Sequence, residues 1–329
     1  MRTLKITIFT LAVALTLAVT VLLGATLHKY SLIGDFIRFS ENEEFPSFAD
    51  GFVPTGYCEC PDGRLILGRD KGDARLYLYT DEGELSSIIL YDERENRLVG
   101  ELGGVAVFDK YIYVGCDDEI LVYYYEDVEC FDEKVIYYDT IKAFTPATSL
   151  SISDGFLFVG GYHPHTECEG CSLPHIKTPA GEENYSLITA FKLSTEKGAG
   201  HVRYIIPSPV CAISVRDSLV GLSVDKNEII LSLSRGEELS SLELHSMQTY
   251  PRSEIILEDG EISYKTPLIF LDNSTRLGTL TAPSGLLDIY KDESGLRIML
   301  KPTKKADKKP FLTESDFMYS LDIRGAFEN

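Results

Sequence analysis

The chain has 329 residues, 44% of them hydrophobic and 25% charged, with 51 acidic against 31 basic side chains and a formal charge of -20. That length is enough for one large core or two ordinary domains. An acidic surface of this strength repels nucleic acid and anionic headgroups, which removes nucleic acid from the expected partners.

The amino terminus reads as a membrane segment. Residues 6–27 form an uncharged run of 22 residues, against the roughly 20 that span a bilayer as a helix. Arg2 and Lys5 precede it, which puts the amino terminus in the cytoplasm and the rest outside. The expectation is a signal anchor over residues 1–29 and a single-pass protein of the cell membrane. Cleavage as a signal peptide near Leu23-Gly24-Ala25 is the alternative and would give a secreted protein. The first 29 residues hold three basic side chains and no acid, so residues 30–329 carry 28 basic against 51 acidic side chains, net -23.

Residues 30–50 form an acidic linker in which 35–39 is a short strand candidate. Beyond it one phrase organises the chain. Residues 102–115, Leu-Gly-Gly-Val-Ala-Val-Phe-Asp-Lys-Tyr-Ile-Tyr-Val-Gly, alternate with period 2 on either side of a turn at Asp109-Lys110, as two half-buried strands do. The phrase recurs at 55–68, 148–160, 220–231 and 284–298. In the first copy two further strands follow at 74–79 and 86–90, with the turn between them at Asp81-Glu82-Gly83. The second copy continues at 120–124 and 134–138. Four strands in about 40 residues make one antiparallel blade.

The phrase origins, Gly56, Gly104, Ser149, Gly221 and Gly285, are spaced by 48, 45, 72 and 64 residues. The two long spacings hold insertions, at 162–184 and 246–266, the second reading as an extra hairpin over 253–264 ahead of a strand at 268–271. Glycine at four of five origins fits inner strands crowding an axis. No helix of ten residues is expected after the anchor. The fold class is all-β: one β-propeller over 51–325, of five blades, or of six if the extra hairpin is half a blade. Only three strands are evident in the fifth copy, so 35–39 is expected to complete it and close the ring.

The phrases Phe52-Val53-Pro54-Thr55-Gly56-Tyr57, Gly103-Gly104-Val105-Ala106, Thr178-Pro179-Ala180-Gly181-Glu182-Glu183-Asn184, Phe270-Leu271-Asp272-Asn273-Ser274 and Tyr319-Ser320-Leu321-Asp322 resemble those of a group of exported or membrane-anchored bacterial propeller proteins of unknown function. The resemblance implies a propeller outside the cytoplasm and no particular activity.

In a propeller, the loops entering inner strands share a face with those joining second to third strands. That face is expected to carry Arg69, Asp70, Asp117, Asp118, the insertion from Tyr162 to Asn184, and Arg235. The densest chemistry lies at 163–175, where His163, His165, Cys168, Cys171 and His175 could supply zinc with nitrogen and sulfur ligands. Outside the cytoplasm a Cys168–Cys171 disulfide pinning the loop is the competing expectation. Asp117 and Asp118 could meet Asp70 to hold calcium or act as paired carboxylates. Their competing reading is as solvated turn acids, because the inner-strand starts Thr55, Gly103, Thr148, Val220 and Ser284 carry no acid. No Gly-x-Ser-x-Gly and no P-loop occurs, and the lack of tryptophan counts against carbohydrate-stacking platforms. Sequons stand at Asn184 and Asn273.

Two functions follow as expectations. The first is a membrane-tethered binding module without a cofactor, its ligand face built from Arg69, Asp118, Tyr162 and Arg235, its partner an extracytoplasmic protein or small ligand. The second is an extracytoplasmic hydrolase of a lactone, ester or glycan, with zinc or calcium, using Asp70, Asp117, His163 and His165 over the axial channel.

Overall fold

The computed structural model describes residues 31–43, 51–129, 134–163, 175–193, 205–236, 238–248, 253–292, 295–301 and 318–327, with residues 20, 24, 28 and 48 singly. These residues form five antiparallel blades. Blade one is Phe52–Cys60, Gly63–Asp70, Asp73–Thr80 and Leu85–Tyr91. Blade two is Leu102–Phe108, Tyr111–Cys116, Glu119–Tyr124 and Asp139–Lys142. Blade three is Ser149–Ser153, Phe156–Gly160, Ser186–Leu193 and Ile205–Val215. Blade four is Leu219–Asp225, Glu228–Leu233, Ser240–Ser246 and Arg276–Ala282. Blade five is Leu286–Lys291, Leu296–Leu300, Met318–Leu321 and, from the other end of the chain, Ser40–Asn42.

The expected ring closure therefore occurs, but over different residues. Ser40, Glu41 and Asn42 pair antiparallel with Leu321, Ser320 and Tyr319, whereas Gly34–Phe39 is helical. Ile33, Phe36 and Phe39 recur at helical spacing, and all three pack in the core shared by blades four and five. Phe36 is buried and meets Tyr319 edge-on at 5.7 Å. The strand candidate at 35–39 thus follows a period of three rather than two. No helix among the described residues is long and apolar enough to cross a membrane. The run at 6–27 lies outside the described residues except for Thr20 and Gly24.

Two further expectations change. The segment expected as the outer strand of blade two splits. Lys134–Ile136 crosses to blade one and adds in parallel to Leu85–Tyr91, while Asp139–Lys142 pairs with Glu119–Tyr124. The extra hairpin, Ser253–Asp259 with Ile262–Phe270, is not half of a sixth blade. It adds in parallel to Ile205–Val215 of blade three and absorbs the segment 268–271, so the outer strand of blade four is Arg276–Ala282 instead. In both places a blade's third-to-fourth connection reaches back to cover its predecessor's outer edge, which would otherwise present unpaired backbone.

The inner strands contact one another in a closed cycle. A methyl group on Gly56 would lie 2.8 Å from the Val105 nitrogen, one on Gly104 2.3 Å from the Leu150 nitrogen, and one on Gly221 2.9 Å from the Ile289 nitrogen. Hydrogen at Cα is what lets the backbones touch. Gly285 is different. It takes φ +86° in the turn before blade five, and the residue that meets Gly221 is Asp288. A register shift in the inner hairpin marks the same place in four blades, at Pro54/Gly56, Leu102/Val105, Leu219/Gly221 and Leu286/Asp288. The axial position thus runs Gly56, Gly104, Ser149, Gly221, Asp288.

The three glycines leave the axis to the Asp288 carboxylate. Its Oδ1 accepts from Ser149 Oγ at 3.0 Å and from the Ile289 amide at 2.9 Å, and its Oδ2 accepts from the Tyr57 amide at 3.2 Å. Ser149 Oγ in turn accepts from the Leu222 amide at 2.9 Å. One carboxyl and one hydroxyl thereby tie blades one, three, four and five. The stitch continues outward, since Ser151 Oγ accepts from the Val224 amide at 3.0 Å, Ser153 Oγ from Lys226 at 3.3 Å, and Ser223 Oγ from Lys291 at 3.2 Å. Each such bond adds about 1 kcal/mol net.

Burial pushes the Asp288 carboxyl up to about 8, against the opposing pull of its three donors. In the unfolded chain it ionises near 4. Between those values the folded state holds a proton that the unfolded state has lost, so stability falls as pH rises, by at most about 1.4 kcal/mol per pH unit. Thermal unfolding of the full chain from pH 4.5 to 8.5 should show this decline, and Asp288→Asn should flatten it. Separately, Gly104→Ala forces a methyl into backbone and should cost about 3 kcal/mol. Gly221→Ala, with more room, should cost less, as denaturant titration would show.

Candidate functional site

Of the residues expected to carry chemistry on the loop face, Arg69 and Asp117 meet at one segment, Gly100–Glu101, while the others make contacts of their own. Arg69 donates to the Gly100 and Gly72 carbonyls. Asp70 faces Arg75 at 3.3 Å. Asp117 sits at φ +52°, and its Oδ1 accepts from the Glu101 amide at 2.8 Å. Asp118 pairs with Lys142. Tyr162 is exposed, its amide donating to Thr148 Oγ1 at 2.9 Å. His163 is buried, and its carbonyl accepts from the Ser218 amide at 2.8 Å. His175 stacks edge-on against Tyr185 at 4.7 Å. His165, Cys168 and Cys171 lie outside the described residues, and with them the expected zinc set and disulfide. Among the described residues no three His, Cys, Asp or Glu side chains are grouped to hold a metal, and Cys58, Cys60, Cys116 and Cys211 are free thiols.

Polar side chains converge elsewhere, in a cleft of about 450 Å³ between blades three and four. Its lining is Glu182, Glu183, Tyr185, Arg216, Asp217, Arg235, Asn273 and Arg276. Arg235 alone among the singly named candidates enters it, although Glu182 and Glu183 belong to the insertion expected on this face.

The part of the lining around Glu182 is built where two distant phrases meet. Asn184 is buried, and its Nδ2 donates to Ser214 Oγ at 3.1 Å and to the Leu271 carbonyl at 2.9 Å. That closes the sequon at Asn184, while Asn273 is exposed. Asp272 caps the turn beside it, its Oδ1 accepting from the Ser274 amide at 2.9 Å and hydroxyl at 2.5 Å. Burial would raise the Asp272 carboxyl, but bonds from Ser274, Thr178 and the Ala180 amide hold it below its ordinary value. The Asn273 amide donates to Glu182 Oε1 at 3.3 Å, and Tyr185 Oη to Glu183 Oε2 at 2.7 Å.

Arg216 and Arg276 rest on Glu243. This side chain is 1% exposed on the third strand of blade four. Its Oε1 accepts from Arg216 Nη1 at 2.6 Å and Arg276 Nη1 at 3.3 Å, while its Oε2 lies 3.2 Å from His245 Nε2. A carboxylate only accepts, so Nε2 carries a hydrogen there. His245 Nδ1 is 3.0 Å from Thr275 Oγ1. Burial alone would raise the Glu243 carboxyl; the His245 bond and the two guanidiniums instead hold it below the ordinary range. Arg235 is fixed in the same way, 3.0 Å from the buried Asp217. Sequence reasoning misses Glu243 and His245 because Ser-Leu-Glu-Leu-His-Ser has strand alternation whose polar face reads as solvent. Two ionisable residues on one face of a third strand are the available signal.

No protein-family model and no curated protein sequence matches the chain. Solved structures resemble it distantly. A Thermus thermophilus protein named as an oxidoreductase (glucose dehydrogenase) is 14% identical over 86% of this chain and 100% of its own, with a TM-score of 0.44. A luciferin-regenerating enzyme is 8% identical over 85% and 94%, with a TM-score of 0.38. A Trichoderma reesei carbohydrate-active enzyme of family AA12 is 9% identical over 86% and 87%, with a TM-score of 0.42. At these identities and scores the likenesses say nothing of chemistry.

Glu243→Gln should destabilise the chain by about 2 kcal/mol, because it weakens three charge-assisted bonds at a buried group. A carboxyl held low contributes stability above its unfolded value, and that stability is lost as pH falls. The acid limb below about pH 4 should therefore be shallower in the variant. Thermal unfolding between pH 3 and 7 measures both.

Proposed function

We propose that the chain is a membrane-tethered, extracytoplasmic binding module whose ligand site is the cleft between blades three and four. Residues 6–27 act as the tether, and the propeller holds the cleft rigid outside the membrane. The reading needs no cofactor, and its partner is a small ligand or the end of an extracytoplasmic protein.

The observation that carries it is the contrast between two sets of polar residues. A hydrolase needs its acids, bases and nucleophile within reach of one reacting atom. Asp70 and Asp117 are engaged in separate turns on different blades, and at the level of the inner strands the axis is filled by Asp288, Ser149 and backbone. The cleft, by contrast, gathers three guanidiniums and the carboxylates of Glu182, Glu183 and Asp217 in one lining. Its size falls within the range of about 300–1,000 Å³ usual for small-molecule sites.

The test is a turnover screen of the full chain against esters, lactones and glycans, with added calcium or zinc. The expected result is no rate above a heat-denatured control. A rate that is abolished by Asp117→Asn or His163→Ala would establish the hydrolase instead. Mass spectrometry of the mature amino terminus checks the tether, since a start at residue 26 would make the protein secreted.

A further inference from the structure

The geometry points to a small zwitterion as the cleft's ligand: a molecule with a free carboxylate and a free ammonium, such as a short peptide with both ends open. This rests on the binding-module reading and gives it a chemistry.

The carboxylate end belongs at the three arginines of the lining. A guanidinium has five N–H donors in a planar fork. Arg216 and Arg276 each spend one terminal nitrogen on Glu243 Oε1, and Arg235 spends one on Asp217. The remaining donors border the cleft, and the three side chains are 40%, 30% and 41% exposed. Because the buried carboxylates of Glu243 and Asp217 anchor these arginines, their forks are held in place before a ligand arrives, which reduces the entropy lost on binding. Forks held this way suit two-point recognition of a carboxylate.

The ammonium end belongs at Glu182 and Glu183, which line the same cleft. The Glu182 carboxylate accepts one bond from the Asn273 amide and the Glu183 carboxylate one from Tyr185. A carboxylate offers about four lone-pair positions, so acceptor capacity remains on both. A simple anion such as phosphate would meet these two charges as repulsion. A simple cation would meet the arginines in the same way. A molecule carrying both signs at its two ends meets neither penalty, which makes the mixed lining a selectivity device.

Isothermal titration of the full chain, in detergent if it fractionates with membranes, tests this with four probes: trialanine, N-acetyl-trialanine, trialanine amide and inorganic phosphate. Trialanine should bind, and blocking either end should weaken binding by about tenfold or more, as expected for loss of one charge-assisted contact. Glu183→Gln should erase the difference between trialanine and its acetylated form while sparing the preference for a free carboxylate. Arg235→Gln should do the reverse. Circular dichroism of each variant establishes that it is folded, and if Arg235→Gln is not, Glu183→Gln alone decides. Phosphate binding as tightly as trialanine, or equal binding of all three peptides, would overturn the zwitterion assignment. No heat with any probe would overturn it too, while leaving the binding module standing. Recovery of cleaved trialanine would overturn the module reading itself.

Discussion

One buried carboxyl holds the ring. Asp288 reaches across the axis to the Tyr57 amide and the Ser149 hydroxyl, and Ser149 passes the contact on to Leu222. An inner strand has its ladder partner on one side only. Its other edge faces the neighbouring blade, where the next backbone lies too close for most side chains. Glycine answers that crowding at Gly56, Gly104 and Gly221. Glycine alone, however, leaves amides without acceptors at the axis, and a buried unpaired amide costs about 1–3 kcal/mol. The serines at 149, 151, 153 and 223 and the one aspartate supply those acceptors. The remaining positions can then be small.

The cleft depends on the same ring from the outside. Blades three and four are clasped at the axis by the serine ladder and at the rim by the hairpin that leaves blade four and pairs with blade three. The hairpin's exit delivers Asp272 and Asn273 to the insertion of blade three, and its return begins at Arg276. The residues that line the cleft therefore come from two blades that are clasped at both places.

Much of this is legible in the sequence, and the failures have physical causes. The repeated phrase reveals the blades because alternation and tight turns are local properties. The fifth copy aligns in sequence on Gly285, three residues early, because a turn glycine and a packing glycine look alike there. Helical spacing at Ile33, Phe36 and Phe39 is hard to see in a segment too short to display a period. The parallel additions of 134–136 and 253–270 cannot be read, since a strand's partner across a blade boundary leaves no local mark. The site is legible only in part. The histidine-rich and cysteine-rich stretch stands out by composition, whereas Glu243 and His245 are spaced as an ordinary strand and acquire meaning from Arg216 and Arg276, far along the chain. The phrases around Thr178 and Asp272, which carry the resemblance to other propellers, meet in space beside the cleft.

The borrowed outer strands also set a timetable. A chain leaving the ribosome has the four antiparallel strands of blade one by Tyr91, yet the rim of that blade stays uncovered until Ile136 emerges. Blade three waits in the same way for Phe270. Blade five, whose outer strand is made first and whose other strands are made last, waits for almost everything. The units that fold are thus not the units that repeat. Duplicating or deleting one contiguous stretch of gene would strand a borrowed edge, so the number of blades is locked by the way neighbouring blades interlace.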